Sequence, residues 1–129
     1  MNSTHESNSE FASHQEEQTV ALLAALSQVT RLRIVKLLTE KGPLPVAEIA
    51  SSLDLQQSRT SQHLAILTRA GVLRVEQRKA SRFYGLRGPR VPAMIALAEE
   101  FCRVHGLYPA EVIHKAGETA EPEPISFLP

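Results

Sequence analysis

The chain has 129 residues, 43% of them hydrophobic and 22% charged, the usage of one ordinary globular domain. Fourteen basic residues balance fourteen acidic ones, and Cys102 is the single cysteine; this excludes an intrachain disulfide framework and any site built from several cysteines of one chain. No apolar run reaches the roughly 18 residues that a membrane span needs, and the polar, acidic start MNSTHESNSE has the character of neither a signal nor a transit peptide, so the expected location is the cytoplasm, with no membrane partner.

The zero net charge conceals a segregation. Residues 1–30 carry four acids and no Lys or Arg, residues 31–90 carry twelve bases and four acids, and residues 91–129 carry two bases and six acids. A centre of net +8 between two flanks of −4 is the asymmetry expected of a nucleic-acid-binding module. A solvated surface sorted by chance would look the same on charge alone.

In chain order, residues 1–16 are polar and read as a disordered acidic tail. Val20, Leu22, Leu23, Leu26 and Val29 keep helical spacing and predict a first helix over roughly residues 17–28. Leu32, Ile34, Val35, Leu37 and Leu38 predict a second over roughly 30–40, stopped by Lys41-Gly42-Pro43. Pro45 suits the first turn of a third helix, where its missing N–H costs nothing; that helix ends near Leu53. After a short polar turn, a fourth helix runs from Gln57 to about Ala70 and stops at Gly71. Val72, Leu73 and Val75, then Phe83, Tyr84 and Leu86, flank a polar run and predict a β-hairpin turning at Arg78-Lys79. A last helix runs from about Pro92 to His105. Residues 107–129 read as a short helical turn followed by an extended tail rich in Pro and Glu. The order over 17–106 is therefore mainly α with a small β-hairpin, a winged helix-turn-helix plan.

The fourth helix has two unlike faces. At 100° per residue, Thr60, His63, Leu64, Leu67 and Ala70 gather on one side, and Gln57, Ser58, Ser61, Gln62, Ala65 and Arg69 on the other. The second face carries no acid that phosphate would repel. Gln can bond adenine edges, Ser can donate or accept, and the Ala methyl can meet a thymine methyl. The N-terminal part of such a helix is what meets base edges in a major groove. Arg78, Lys79 and Arg82 lie at or beside the hairpin tip, where long cations reach phosphate. His63 sits on the inward flank and reads as a packing histidine bonded to a backbone group.

Three segments in order resemble one family. Ala25-Leu26-Ser27-Gln28-Val29-Thr30-Arg31-Leu32-Arg33-Ile34 is similar to the opening signature of ArsR/SmtB-type repressors. Gln57-Ser58-Arg59-Thr60-Ser61-Gln62-His63-Leu64, with Leu67 and Ala70-Gly71-Val72, resembles their recognition helix, and Arg82-Phe83-Tyr84-Gly85-Leu86 the end of their wing. The resemblance covers about residues 18–105. It implies a winged-helix homodimer joined by its first and last helices, for which Leu22, Leu26, Leu97 and Phe101 are the expected contacts. It also implies a repressor that binds a palindromic DNA operator and releases it on a metal or chemical signal.

The family's inducer sites are mostly missing. Pro45 and Ala47 stand where a Cys-x-Cys pair would be, Arg90-Val91-Pro92-Ala93-Met94 offers no ligand at the start of the last helix, and Ile34-Val35-Lys36-Leu37-Leu38 contains no cysteine. What is left for a sensor is Cys102 with His105, at i and i+3. Two copies across a two-fold axis would offer two thiols and two imidazoles, a set that suits zinc or another thiophilic metal. Cys102 also fits a small buried apolar residue, and His105 a cation at a helix C-terminus. An enzyme finds no support: there is no Ser/His/Asp arrangement, phosphate-cradling glycine loop or carboxylate cluster. The rival function is a winged-helix protein–protein adaptor without direct DNA readout.

Overall fold

A computed structural model describes residues 3–106, with side chains from residue 13 onward. The elements are α1 (Ser3–Leu26), α2 (Val29–Lys41), β1 (Leu44–Pro45), α3 (Val46–Leu53), α4 (Gln57–Arg69), β2 (Leu73–Arg78), β3 (Ser81–Leu86) and α5 (Arg90–His105). The chain divides into two compact units after Pro92. The short turn and tail expected over 107–129 lie outside the described residues.

α1 starts at Ser3 rather than near residue 17. Its polar half contains no Gly or Pro and is supplied with Glu6, Glu10, Gln15, Glu16 and Glu17, straight side chains that lose little rotamer freedom in a helix. Apolar periodicity, the signal used to find the helix, begins only later. The helix closes where the backbone N–H and hydroxyl of Ser27 both donate to the Ala24 carbonyl, at 3.2 and 3.1 Å. α2 begins at once: the Gln28 side-chain oxygen accepts the Arg31 backbone N–H at 2.8 Å, an N-cap made by a residue type seldom used for it.

Pro45 does not lie inside a helix. It is extended, at φ −74° and ψ 159°, and immediately precedes α3. With Leu44 it forms a strand that the sequence pattern did not reveal, pairing antiparallel with Tyr84 and Phe83 of β3. Two residues are too few to show alternation, and a proline without an N–H is tolerated on an edge strand. The sheet order is β1-β3-β2, and the hairpin registers Leu73 opposite Leu86 and Arg78 opposite Ser81. Its turn is at Lys79-Ala80, one residue beyond the expected Arg78-Lys79, with Lys79 at φ 53°. Gly85 lies against Pro43; a Cβ there would stand 3.0 Å from the proline Cγ.

The core of the first unit is formed by Ile34, Val35 and Leu38 of α2, Ile49 and Ala50 of α3, Leu64 and Leu67 of α4, and Val72 and Leu73 entering the wing. Ala25 is buried on α1. α2, α3 and α4 pack on one another, and α1 packs on both α2 and α4. In the second unit Ile95 is buried, while Met94, Leu97, Phe101 and Val104 are exposed. Among the described residues no helix is long and apolar enough to cross a membrane.

Candidate nucleic-acid interface

α4 is held by one face and presents the other. Thr60, Leu64 and Leu67 are fully buried, and the Thr60 hydroxyl donates to the Gln56 carbonyl at 2.9 Å, so the one buried hydroxyl on this face is satisfied within its own helix. Gln57, Ser58, Ser61, Gln62, Ala65 and Arg69 are all exposed. α3 ends at Asp54, in the left-handed conformation at φ 54°, and α4 starts three residues later, so the pair forms a helix-turn-helix with α4 as its second helix. This helix carries no acidic residue in its first turn and ends on Arg69.

The wing is more constrained than a hairpin of loose cations. Arg74, Glu76 and Arg78 alternate along β2 and share a face. Glu76 Oε1 pairs with Arg74 at 3.1 Å, and Oε2 accepts from Arg78 at 3.0 and 3.3 Å. The Arg78 guanidinium also lies 4.7 Å from the centre of the Phe83 ring, a cation–π contact across the strand pair. Arg78 is thus engaged by a carboxylate and an aromatic face. Lys79 and Arg82 are exposed at and beside the tip. Arg74 and Glu76 were not singled out from the sequence, although alternation along a strand already places 74, 76 and 78 on one side.

His63 is half-buried, as its inward position predicts, but its partner is not a backbone group. Nδ1 lies 3.4 Å from Nη1 of Arg31, thirty-two residues away in the chain. Burial, then the nearby Arg31 and Arg59 guanidiniums, hold its pKa below the ordinary histidine value. Beside this contact a shallow groove of about 330 Å³ separates Ala21, Ala24 and Ala25 of α1 from Ile66, Arg69 and Ala70 of α4.

Of the expected interface contacts, Leu97 is 67% and Phe101 54% exposed on α5, whereas Leu22 and Leu26 are half-buried within the protomer. The exposed large apolar residues of α1 are instead Val20 and Leu23. Cys102 is exposed, and the His105 ring sits 4.4 Å from the ring of Phe101. Among the described residues no group of three or more His, Cys, Asp or Glu side chains is gathered as metal ligands would be.

Comparison with known proteins agrees with this geometry. Residues 28–75 match the family described as "Bacterial regulatory protein, arsR family". The transcriptional activator HlyU of Vibrio cholerae is 38% identical over 91 residues, which span 70% of this chain and 78% of that protein. Its solved structure in the reduced form has a TM-score of 0.59 at 35% identity and covers 71% of this chain and 96% of that one. The arsenical resistance operon repressor of Escherichia coli is 38% identical over 77 residues, covering 60% of this chain and 65% of that protein. The homodimeric winged helix-turn-helix DNA-binding domain Mb0332 of Mycobacterium bovis has a TM-score of 0.67, covers 72% of this chain and 85% of that one, and at 24% identity shows the fold. These relatives are regulators of transcription rather than enzymes. The protein belongs to the ArsR family, as a DNA-binding winged helix-turn-helix transcriptional regulator.

Proposed function

We propose that the protein is a homodimeric repressor that occupies a palindromic operator through the outward face of α4 and is released by a metal, redox or sulfur signal in the cytoplasm. The observation that carries this is the division of α4: Thr60, Leu64 and Leu67 are buried while Gln57, Ser58, Ser61, Gln62 and Arg69 are exposed. Gln and Ser are suited to base edges; Lys79, Arg82 and the engaged Arg78 are suited to phosphate. A winged-helix adaptor that never met DNA would not need this combination.

Dimerisation is supported by unpartnered apolar side chains. Leu97, Phe101 and Val104 on α5, and Val20 and Leu23 on α1, are each more than half exposed, a pattern that marks a surface intended for a partner. A two-fold dimer sets its two recognition helices about 34 Å apart, one turn of DNA. Release is assigned to Cys102 and His105: Cys102 is the chain's single thiol and is exposed on the helix that carries the apolar stripe. Modification at Cys102, or zinc shared with His105 between two copies, would alter that stripe and with it the spacing of the recognition helices.

Selection of bound duplexes from a random pool tests the proposal. Two related half-sites about one helical turn apart are expected, and a reporter behind the selected duplex should fall silent with the protein present. Zinc, peroxide and persulfide are then added to the complex of the parent and of Cys102→Ser; release of the parent alone is expected. Recovery of single, unpaired sites would overturn the palindrome, and a reporter that rises would make the protein an activator. A parent that none of the three agents releases would remove Cys102 from sensing.

A further inference from the structure

One guanidinium ties three helices together. Arg31 is in the first turn of α2, and its own backbone N–H is taken by Gln28. Its side chain turns back on α1: Nε donates to the Ala25 carbonyl at 2.6 Å, and Nη2 reaches the Ala24 carbonyl at 3.4 Å. These carbonyls belong to the last turn of α1, where the helix dipole favours a cation; that of Ala24 is shared with the Ser27 backbone N–H and hydroxyl. The remaining arm, Nη1, points to Nδ1 of His63 on α4. His63 directly follows Ser61 and Gln62, both on the exposed face.

We propose that Arg31 is a positioning residue for DNA recognition, bracing α4 through His63 against the C-terminal end of α1. The inference rests on α4 being the helix that reads DNA. Planarity matters to it: one rigid fork supplies Nε, Nη1 and Nη2 in different directions, which a lysine cannot do. Arg31 is half-buried and committed to α1 carbonyls, so its contribution is orientation rather than contact with phosphate. The contact also sets a protonation requirement. Nδ1 accepts the Arg31 N–H only when it carries no proton, so His63 must be neutral there. The charged groups around it are Arg31 from α2 and Arg59 from its own helix, while α1 contributes the carbonyls that bind Arg31. An imidazolium would lose the bond and face two guanidiniums, so the brace opens on acidification. Burial and both arginines lower the His63 pKa, which keeps the brace closed through neutral pH.

The test measures affinity for a duplex selected from a random pool and for an unrelated duplex of equal length, across salt and as pH falls from about 7.5. Sedimentation and circular dichroism confirm that each variant is folded and has the parent's oligomeric state. Arg31→Lys and His63→Leu should each bind the selected duplex at least tenfold more weakly, with an unrelated-duplex affinity and a salt slope like the parent's. His63→Gln keeps an acceptor but does not titrate, so the loss of selected-duplex binding that the parent shows once pH falls through its lowered His63 pKa should be smaller in this variant. A salt slope reduced by about one in Arg31→Ala, which unlike Arg31→Lys removes the charge, would overturn the proposal, because it marks a lost phosphate contact. So would His63→Leu with the parent's preference. Gln62→Ala is the control: if it also leaves the preference intact, the assignment of α4 as reader has failed, whereas a Gln62 effect without an Arg31 or His63 effect removes the brace alone.

Discussion

Leu64 shows how far single side chains decide the placement of the face of α4 proposed to read DNA. It has no exposed area and lies two residues beyond Gln62 on the same helix. Leu64→Ala removes a buried aliphatic side chain and should cost about 2–5 kcal/mol of folding stability, the range for such core truncations; urea unfolding measures it. At His63 the effect is one of pH. The folded pKa is lowered from the ordinary value of 6.5, by burial first and then by Arg31 and Arg59. The unfolded chain therefore binds the proton more readily, so stability rises with pH across the window between the two values. The contribution is fully present above 6.5 and is lost as pH falls through the lowered folded value. Urea midpoints of the parent should drop over that window, and those of His63→Gln should drop less. The inward position of His63 was legible from the helical wheel. Its partner was not, because Arg31 lies thirty-two residues away and no local pattern links the two.

The elements were legible where hydrophobic period was strong and illegible where it was short or absent. The heptad-like apolar spacing of α2 and α4 located both helices within about a residue or two, and the two faces of α4 are those that 100° spacing gives. β1 has two residues and no period, so its pairing with β3 required the fold. The polar half of α1 carries helix-favouring residues without an apolar stripe to announce them. In the wing, alternation was available for Arg74, Glu76 and Arg78, and it leads to a prediction. Glu76 restrains two guanidiniums by partly exposed ion pairs, which are worth less than about 1 kcal/mol each. Glu76→Gln should therefore barely change stability. It should raise DNA affinity at low salt and steepen the salt slope by about 0.9 for each arginine that then reaches a phosphate. Binding titrations at several salt concentrations measure this; an unchanged slope would place the freed arginines away from DNA. At the base of the sheet, Gly85→Ala would drive a methyl to within 3.0 Å of Pro43 and should lower the urea midpoint by loosening β1 from β3.

At the scale of the whole molecule, a basic centre between acidic flanks was visible from charge counts alone, and the resemblance of three segments to the family placed the second helix of the helix-turn-helix within it. On α5 Leu97 and Phe101 are exposed, as a partner-facing surface needs, and on α1 the exposed large apolar residues are Val20 and Leu23 while Leu22 and Leu26 are half-buried. In the proposed dimer Leu97→Glu would bury an unpaired carboxylate between protomers; sedimentation should then show monomers, with affinity for a two-half-site duplex reduced to that of a single half-site. The central claim is that the exposed Gln and Ser side chains of α4 read base edges. Its most direct measurement is the ratio of affinities for the selected and the random duplex, compared between the parent, Ser61→Ala and Gln62→Ala at one salt concentration. Each variant should lose about 1–3 kcal/mol of that discrimination, with binding to the random duplex unchanged. Parent-like ratios in both variants would contradict direct readout by α4.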